Sequence, residues 1–254
     1  MLSILICSIN PTLVAEFSEN VAKTIGDIPY EIIVHDNRGS SEGICSVYNR
    51  LASKAKGDNL LFAHEDICFH TPDWGTAIIE KLSDKTTGAI GFAGATVKTK
   101  TYSGWYQSKK YHRINMIQCF KDKPKITISR IDKAIKFAPV VTLDGMAIFA
   151  RRELWAEHPF DEDLLTGFHC YDLDFSLTLA LDYTNYVCNC VLVEHFSDGS
   201  YNATWVNETI KLHDNKWRDK LPISVDKLSF LERLRREHSM KNRFRRIIKK
   251  TKNK

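Results

Sequence analysis

The pattern of apolar and polar positions alternates between short strands and amphipathic helices over the first 95 residues. Compact apolar runs predict strands, and the segments between them carry apolar residues at helical spacing, such as Leu13, Phe17 and Val21 after a candidate cap at Asn10. The predicted strands are Leu2–Cys7, Glu31–His35, Asn59–Ala63 and Gly88–Ala93. This alternation predicts an α/β fold, a mostly parallel mixed sheet flanked by helices with right-handed crossovers.

Residues 96–136 interrupt the alternation. They are rich in Lys and Tyr without a clear period, which favours an inserted loop or small hairpin that covers the sheet as a lid. The pattern then predicts strands Phe137–Thr142, Met146–Ala150 and Tyr186–Glu194, and helices Arg152–His158, one entered through Gly167–Tyr171, and Trp205–Lys220. His195–Asn202 is expected to be a polar loop, and Pro222 marks a hinge before the C-terminal tail.

Composition narrows the class of protein. The chain has 254 residues, of which 43% are hydrophobic and 26% charged, values that exclude disordered, collagen-like and coiled-coil proteins. Its seven cysteines are odd in number and scattered, which favours free thiols and a reducing cytosol over a disulfide framework. No apolar stretch approaches the roughly 20 residues that span a bilayer, and Met1–Ile9 is predicted to be a buried strand rather than a signal peptide.

The net charge of +5 combines two regions of opposite sign. Residues 227–254 hold twelve Lys or Arg against two Glu, a net of +10, which leaves −5 for the remainder. Apolar residues form two stripes among these charges: Leu228, Leu231 and Leu234, and then Phe244, Ile247 and Ile248. The pattern predicts an amphipathic helix on an anionic membrane surface. The alternative is a helix that packs its three leucines against the rest of the protein.

Polar side chains follow the ends of the predicted strands, where ligands bind in open α/β sheets. These positions are Ser8–Asn10, Asp36–Ser41, His64–Asp66, Asp144–Gly145 and His195. Strand alternation puts His64 and Asp66 on the same side and turns Glu65 away. A carboxylate at Asp66 could hold a divalent cation on the diphosphate of a nucleotide, whereas the alternative is a polar strand end with no ligand.

Two blocks of sequence carry a family resemblance. The first runs from Asn37-Arg38-Gly39-Ser40-Ser41-Glu42-Gly43 through Tyr48-Asn49 to His64-Glu65-Asp66, and the second comprises Asp144-Gly145, Pro159-Phe160-Asp161-Glu162 and Tyr171-Asp172-Leu173-Asp174. Together they resemble family 2 glycosyltransferases with the GT-A fold, nearest to the streptomycin-biosynthesis type branch. The D-x-D motif of the family reads His64-Glu65-Asp66 here. The resemblance covers about residues 1–200.

The resemblance implies a Rossmann-like GT-A domain over residues 1–222, followed by a basic helical tail over 223–254. The nucleotide half would occupy about 1–95 and the acceptor half about 137–222. Ser8, Asn10, Asp36, Asn37 and Asp66 would bind the nucleotide, Asp66 and His195 the metal, and Gly145, His169 and Trp105 the acceptor.

Asp172 falls where the family has its general base. Asp172 and Asp174 lie roughly 200° apart on a helix, so only one can face a cleft, and His169 would share the face of Asp172 if the first turn were formed. The alternative for Asp172 is a carboxylate that stabilises a helix N-terminus. Trp105, with Tyr102, Tyr106 and Tyr111, would stack on sugar faces or else pack the lid.

The implied function is metal-assisted transfer of a sugar from a nucleoside-diphosphate sugar to a hydroxyl acceptor, with inversion. Mn²⁺ or Mg²⁺ would be the cofactor, and the acceptor a saccharide or a lipid-linked sugar of the surface polysaccharide or glycolipid type. The enzyme would be cytoplasmic, at the inner face of the membrane. Two alternatives are a relative that binds nucleotide without turnover, and a nucleic-acid-binding protein that uses the basic tail.

Overall fold

A seven-stranded mixed sheet forms the centre of the fold in the computed structural model, which describes residues 1–40, 42–197, 199 and 201–252. The strands are β1 Leu2–Ser8, β2 Tyr30–Asp36, β3 Asn59–Ala63, β4 Ile67–Phe69, β5 Thr87–Gly91, β6 Ala93–Ala95, β7 Val97–Lys98, β8 His112–Cys119, β9 Ile126–Ser129, β10 Phe137–Val140, β11 Thr142–Leu143, β12 Ala147–Arg151, β13 Thr184–Cys188, β14 Val193–Phe196 and β15 Ile223–Ser224. The helices are α1 Pro11–Thr24, α2 Ile44–Lys54, α3 Trp74–Ser83, α4 Arg152–Glu157, α5 Tyr171–Leu179, α6 Ala203–Leu212 and α7 Phe230–Lys252. Ser41, Asp198, Ser200, Asn253 and Lys254, which belong to segments named above, lie outside the described residues.

The central sheet has the strand order β10-β13-β5-β12-β3-β1-β2. β1 pairs in parallel with β2 and β3, and β13 in parallel with β5. β12 is antiparallel to both of its neighbours, and β10 is antiparallel to β13. Five strands therefore run in one direction, which confirms the predicted α/β fold with a mostly parallel mixed sheet.

Side chains of the central strands alternate between two hydrophobic layers. Leu60 and Phe62 of β3 belong to the layer that contains α2 and α5, whereas Leu61 and Ala63 belong to the layer that contains α1 and α3. All four residues are fully buried. Burial on both faces explains why β3 reads as a continuous apolar run rather than an alternating one.

A second, smaller sheet has the order β11-β6-β8-β14-β4, with β9 paired to β8. The predicted insertion 96–136 contributes to it, because β8 and β9 form an antiparallel hairpin within that segment. A hairpin was expected there, but β8 is an inner strand of a sheet rather than part of a detached lid.

Three of the predicted strands are divided between the sheets, and the first, Gly88–Ala93, divides into β5 and the start of β6. The predicted strand Tyr186–Glu194 ends at Cys188 and is followed by a separate strand, β14, in the second sheet. Phe137–Thr142 likewise divides into β10 and β11. The predicted helix Trp205–Lys220 ends as an α-helix at Leu212 and continues as a π-helical turn over His213–Trp217.

The tail forms the 23-residue helix α7, which packs against α6 and the 96–111 segment. Met240 and Phe244 are 4% and 7% exposed, whereas Leu231 and Leu234 are 65% and 44% exposed. Leu231 and Leu234 therefore do not hold α7 against the body, and that alternative is wrong for these two residues. The second predicted stripe, Phe244, Ile247 and Ile248, packs against the body instead of facing away from it. Within the described part of the chain, no helix has the length and apolar character needed to cross a membrane.

Candidate active site

The first two strands bring four predicted nucleotide residues to the carboxyl edge of the central sheet. Ser8 and Asp36 are in register on β1 and β2. The Ser8 hydroxyl accepts a hydrogen bond from the Asn10 backbone N–H at 3.1 Å, and Asn10 caps α1 through bonds to the backbone of Thr12 and Leu13. Ser8 and Asn10 thus build the turn at this edge with their side chains.

Asp36 and Asn37 differ in what their side chains contact. Asp36 is exposed and accepts hydrogen bonds from the Arg38 guanidinium. These hydrogen bonds lower the pKa of Asp36 to about 2. Asn37 is buried and donates its amide to the Glu42 carbonyl at 3.3 Å. Its amide oxygen has no hydrogen-bond partner among the described residues. A ligand that reaches this edge therefore meets two groups. One is the Asp36 carboxylate, which is already paired with Arg38, and the other is the Asn37 amide oxygen, which has no partner among the described residues.

A cluster of His64, Asp66 and His195 lies beside the end of β3. The His64 Nδ1 and His195 Nε2 atoms lie 3.8 and 3.6 Å from Asp66 Oδ1. One donor atom from each side chain falls within 4.8 Å of the others. Two ligands at about 2.1 Å from one ion are at most ~4.2 Å apart, and both measured separations are below that limit.

Two atoms of this cluster are buried without a hydrogen-bond partner among the described residues: Asp66 Oδ1 and His195 Nε2. Buried polar atoms are otherwise almost always paired, so two unpartnered polar atoms 3.6 Å apart indicate a missing partner. A carboxylate oxygen and an imidazole nitrogen are both ligands of divalent metals. The donor set therefore fits a divalent cation.

Pairing between β4 and β14 produces the cluster. His195 is in register with Ile67, and the Phe196 N–H donates to the Asp66 carbonyl at 2.9 Å. His195 was predicted to open a polar loop, but it lies within β14 and is 9% exposed. It is consequently held in place by the sheet rather than by closure of the segment around Gly199.

A hydrogen-bond chain fixes the tautomer of His64. The Tyr171 hydroxyl donates to the Gly145 carbonyl at 3.0 Å and lies 2.9 Å from His64 Nε2. Since that hydroxyl has one proton, both bonds form only if His64 Nε2 carries a hydrogen and donates it to Tyr171. The His64 Nδ1 lone pair then faces Asp66. Burial and the neighbouring His195 lower the His64 pKa, which favours the neutral, ligating imidazole.

Asp172 lines a cleft of about 290 Å³ next to this cluster. The cleft is also lined by His64, Gly104, Trp105, Tyr106, Asp144, Gly145, Phe168, His169, Cys170, Tyr171, His195, Ser197, Gly199, Tyr201 and Trp205. Burial and the nearby Asp144 carboxylate raise the Asp172 pKa to about 7. Asp172 thus retains a proton at a pH where exposed carboxyl groups have lost theirs, which suits a group that exchanges protons.

Asp174 faces the opposite side of α5. Its carboxylate accepts hydrogen bonds from Trp217 Nε1 at 2.7 Å and Lys216 Nζ at 2.8 Å. The side chain is 5% exposed. The geometry agrees with the expectation that only one of the two aspartates faces the cleft.

The three predicted acceptor residues all line the cleft, each for a different local reason. His169 precedes α5, because Cys170 at the N-cap has φ 66°, so the predicted shared helical face with Asp172 is wrong. Gly145 contributes space: a Cβ there would lie 2.3 Å from the Tyr171 hydroxyl. Trp105 presents its ring beside that of Tyr106 at 5.6 Å between centroids.

Two other aromatic residues considered as sugar platforms serve packing. The Tyr102 ring contacts Phe244 of α7 at 5.3 Å between centroids. Tyr111 is 5% exposed and is covered by the Arg236 guanidinium at 3.4 Å from its ring centre. The packing alternative therefore holds for these two residues.

Sequence reasoning assigned no role to three groups of the cleft: His64, Asp144 and Tyr171. His64 had a signal, because strand alternation put it on the side of Asp66, and Asp144 had one in its place at a strand end. Tyr171 had none, since its partners His64 and Gly145 are 107 and 26 residues away.

Several solved structures are similar in fold to this chain. GalNAc-T7 with UDP, GalNAc and Mn²⁺ matches with a TM-score of 0.59, 10% identity, 94% coverage of this chain and 54% of that one. This chain thus spans about half of its length. The Pyrobaculum calidifontis mannosyltransferase PcManGT with GDP-Man and Mn²⁺ matches with a TM-score of 0.55, 14% identity and coverages of 94% and 68%. S. aureus TarS 1-349 with UDP matches with a TM-score of 0.50, 14% identity, and coverages of 96% of this chain and 70% of that one.

These likenesses confirm the GT-A fold that the sequence predicted. No curated protein has significant sequence similarity to the chain. The family model described as "Glycosyltransferase like family" matches residues 3–221. That match includes every strand of both sheets and ends before α7. The chain therefore belongs to the glycosyltransferase-like family.

Proposed function

We propose that this protein transfers a sugar from a nucleoside-diphosphate sugar to a hydroxyl group of an acceptor. The observation that carries the proposal is the juxtaposition of the His64–Asp66–His195 cluster with Asp172 at one cleft. The cluster fits a cation that binds a diphosphate, and Asp172 is suited to accept a proton. These are the two requirements for direct displacement at an anomeric carbon.

His64, Asp66 and His195 would hold the cation. Two imidazoles with one carboxylate favour Mn²⁺ over Mg²⁺, because Mg²⁺ prefers an all-oxygen shell. When bound, the cation offsets the negative charge that grows on the leaving nucleoside diphosphate. Tyr171 contributes by holding the His64 Nδ1 lone pair toward Asp66.

Asp172 would act as the general base. Its pKa of about 7 lets it take the proton of the acceptor hydroxyl near neutral pH and leaves it a stronger base than an exposed aspartate. Attack of that oxygen on the anomeric carbon breaks the bond to the diphosphate, so configuration at that carbon inverts. The aromatic rings of Trp105 and Tyr106 line the same cleft and offer faces for a sugar ring.

The donor would lie along the edge formed by Ser8, Asn10, Asp36 and Asn37. UDP and GDP-mannose in the similar structures support a nucleotide donor here. The His64-Glu65-Asp66 and Tyr171-Asp172-Leu173-Asp174 motifs support the streptomycin-biosynthesis type branch. We assign the acceptor to the surface polysaccharide or glycolipid class. The basic exposed face of α7 supports a position at the inner face of the membrane.

The test is a thermal-shift panel of nucleoside diphosphates and their sugars, with and without Mn²⁺. We expect at least one nucleotide to raise the melting temperature only when Mn²⁺ is present. Asp66→Asn should abolish that shift. Glu65→Gln, which removes the same charge from a side chain that faces the Ile9 and Asn10 backbone, should retain it. A panel with no shift in any metal condition contradicts the proposal.

The two alternative functions give different results in the same experiment. A binding-only relative would show the shift but no sugar transfer, and the raised pKa of Asp172 argues against it. A nucleic-acid-binding protein would show no nucleotide shift and a steep salt dependence of RNA or DNA binding. No nucleic-acid partner is expected.

A further inference from the structure

A second groove, of about 690 Å³, lies between α7 and the segment that follows β14. Three cationic side chains of α7 line it: Arg243, Arg246 and Lys250. Their spacing of three and four residues puts them on one face of the helix. Tyr201 and Ile247 also line the groove.

The positive charge of this groove is not neutralised within the described residues. No carboxylate is among the described residues that line the groove. None of the ion pairs between described residues includes Arg243, Arg246 or Lys250. Elsewhere α7 does form such pairs, as between Glu232 and Lys110 at 3.1 Å. Three like charges facing one groove repel one another unless an anion binds between them.

One of the three cations is already oriented. The Arg243 guanidinium lies 3.7 Å from the centre of the Tyr106 ring and donates to the Tyr201 hydroxyl at 3.3 Å. Arg246 and Lys250 are exposed and free to close on a ligand. A guanidinium fork beside an ammonium group is the arrangement that binds phosphate oxygens with charge-assisted hydrogen bonds.

The groove adjoins the cleft. Gly199 and Tyr201 line both, and the Tyr201 ring packs on Trp205 of the cleft at 4.7 Å between centroids. The donor diphosphate has its own site at the His64–Asp66–His195 cluster. An anion in the groove would therefore belong to the other substrate, and Ile247 provides an apolar contact beside it.

We propose that the groove binds a phosphate group carried by the acceptor, whose hydroxyl end reaches Asp172. This inference rests on the proposed function, because it names the class of acceptor. The acceptor is an alcohol that carries a phosphate ester, either a soluble alcohol phosphate or a lipid phosphate. The groove uses α7, which lies outside the region matched by the family model.

The experiment uses the full chain and two matched double variants. Arg246→Ala/Lys250→Ala removes one Arg and one Lys from the groove, and Arg245→Ala/Lys249→Ala removes the same pair, at the same spacing, from neighbouring exposed positions that do not line it. The probes are glycerol 1-phosphate, octyl phosphate below its micelle concentration, and vesicles of phosphatidylglycerol or phosphatidylcholine. Affinity is measured by calorimetry for the soluble probes and by co-sedimentation for the vesicles.

We expect the groove variant to lose about tenfold or more of the affinity for a phosphate probe, and the control variant less than about twofold. Loss confined to glycerol 1-phosphate identifies a soluble acceptor, and loss for octyl phosphate and phosphatidylglycerol vesicles identifies a lipid phosphate. Both outcomes support the inference. Equal losses in the two variants would overturn it, since they would reflect general charge.

The nucleotide panel separates this inference from the proposed function. Both double variants should retain the Mn²⁺-dependent nucleotide shift and the melting temperature of the unaltered chain. A chain that binds nucleotide but neither phosphate probe overturns the inference alone. A chain that binds phosphate through the groove pair but binds no nucleotide overturns the proposed function, and with it the assignment of the phosphate to an acceptor.

Discussion

The two sides of α5 treat the same chemical group in opposite ways. On the core side, the Asp174 carboxylate is paired with Lys216 and hydrogen-bonded by Trp217. On the cleft side, Asp172 lies near a second carboxylate, Asp144, and its pKa is raised to about 7. Burial raises the pKa of both carboxyl groups, but the partners of Asp174 favour its ionised form, whereas the nearby Asp144 carboxylate further disfavours ionisation of Asp172.

The difference indicates which aspartate serves folding and which serves chemistry. Removing one partner of a buried acid–cation pair is destabilising because the other charge is left uncompensated, whereas a buried acid that lacks a cationic partner costs stability when it ionises. Proteins tolerate the second situation mainly at sites where the perturbed pKa is used. Four predictions test this division, from the largest expected effect to the smallest.

Asp172→Asn should reduce sugar transfer by about 10³-fold while nucleotide binding remains, because the amide cannot accept the acceptor proton. The measurement is the single-turnover rate with the donor that gives the largest thermal shift in Mn²⁺. Asp174→Asn, compared at a temperature where it is folded, is the control and should retain most of the rate. Full activity of Asp172→Asn would remove this residue as the base.

Asp174→Asn should instead lower the free energy of unfolding, by about 2 kcal/mol. The substitution leaves the Lys216 ammonium short of one partner, although Asp161 still contacts it at 3.0 Å. Urea denaturation at pH 7 measures the loss. If Asp174→Asn had unchanged stability and no transfer activity, the assignment of the two sides of α5 would be reversed.

The stability of the metal-free chain should depend on pH through Asp172. The folded protein holds a proton on Asp172 up to pH about 7, whereas the unfolded chain releases it near pH 4, so stability falls as pH rises across that window. Asp172→Asn lacks this loss and should gain about 2 kcal/mol over the unaltered chain from pH 4 to pH 6, with the gain levelling off above pH 7. Denaturation in EDTA across this range measures the difference. A constant difference would contradict the raised pKa.

Tyr171→Phe should weaken Mn²⁺ binding by about tenfold, because His64 Nε2 loses its acceptor and the tautomer is no longer fixed. Mn²⁺ titration followed by electron paramagnetic resonance measures the affinity. Tyr111→Phe removes a buried hydroxyl that has no partner among the described residues, and it should leave Mn²⁺ binding unchanged. Equal affinity in both variants would exclude His64 Nδ1 as a ligand.

Sequence patterns were sufficient for the central sheet and insufficient for the second sheet. β3 combines four consecutive apolar residues, Leu60–Ala63, with burial on both faces, which makes a local signal. β6 and β11 of the second sheet have three and two residues, too few for a periodic pattern. They form because the chain crosses from one sheet to the other near Phe92 and Val141, a choice made by distant partners such as β8.

The candidate site divides in the same way. Asp66, Asp172 and His195 were found because each occupies a motif or a strand end. Their relative placement depends on the β4–β14 pairing, which joins residues about 125 positions apart and has no local signature. The roles of Glu208 and Gly145 are also nonlocal: Glu208 accepts the His169 N–H at 3.0 Å, and Gly145 makes room for Tyr171.

The β4–β14 strand pair has a consequence for the thermodynamics of cation binding. Because His195 is part of a hydrogen-bonded ladder, the conformational entropy of its backbone is lost during folding and not when the ion arrives. Binding should therefore leave amide hydrogen exchange in β4 and β14 nearly unchanged. It should also proceed without a slow ordering phase, so that the ion can enter before the nucleotide as readily as with it.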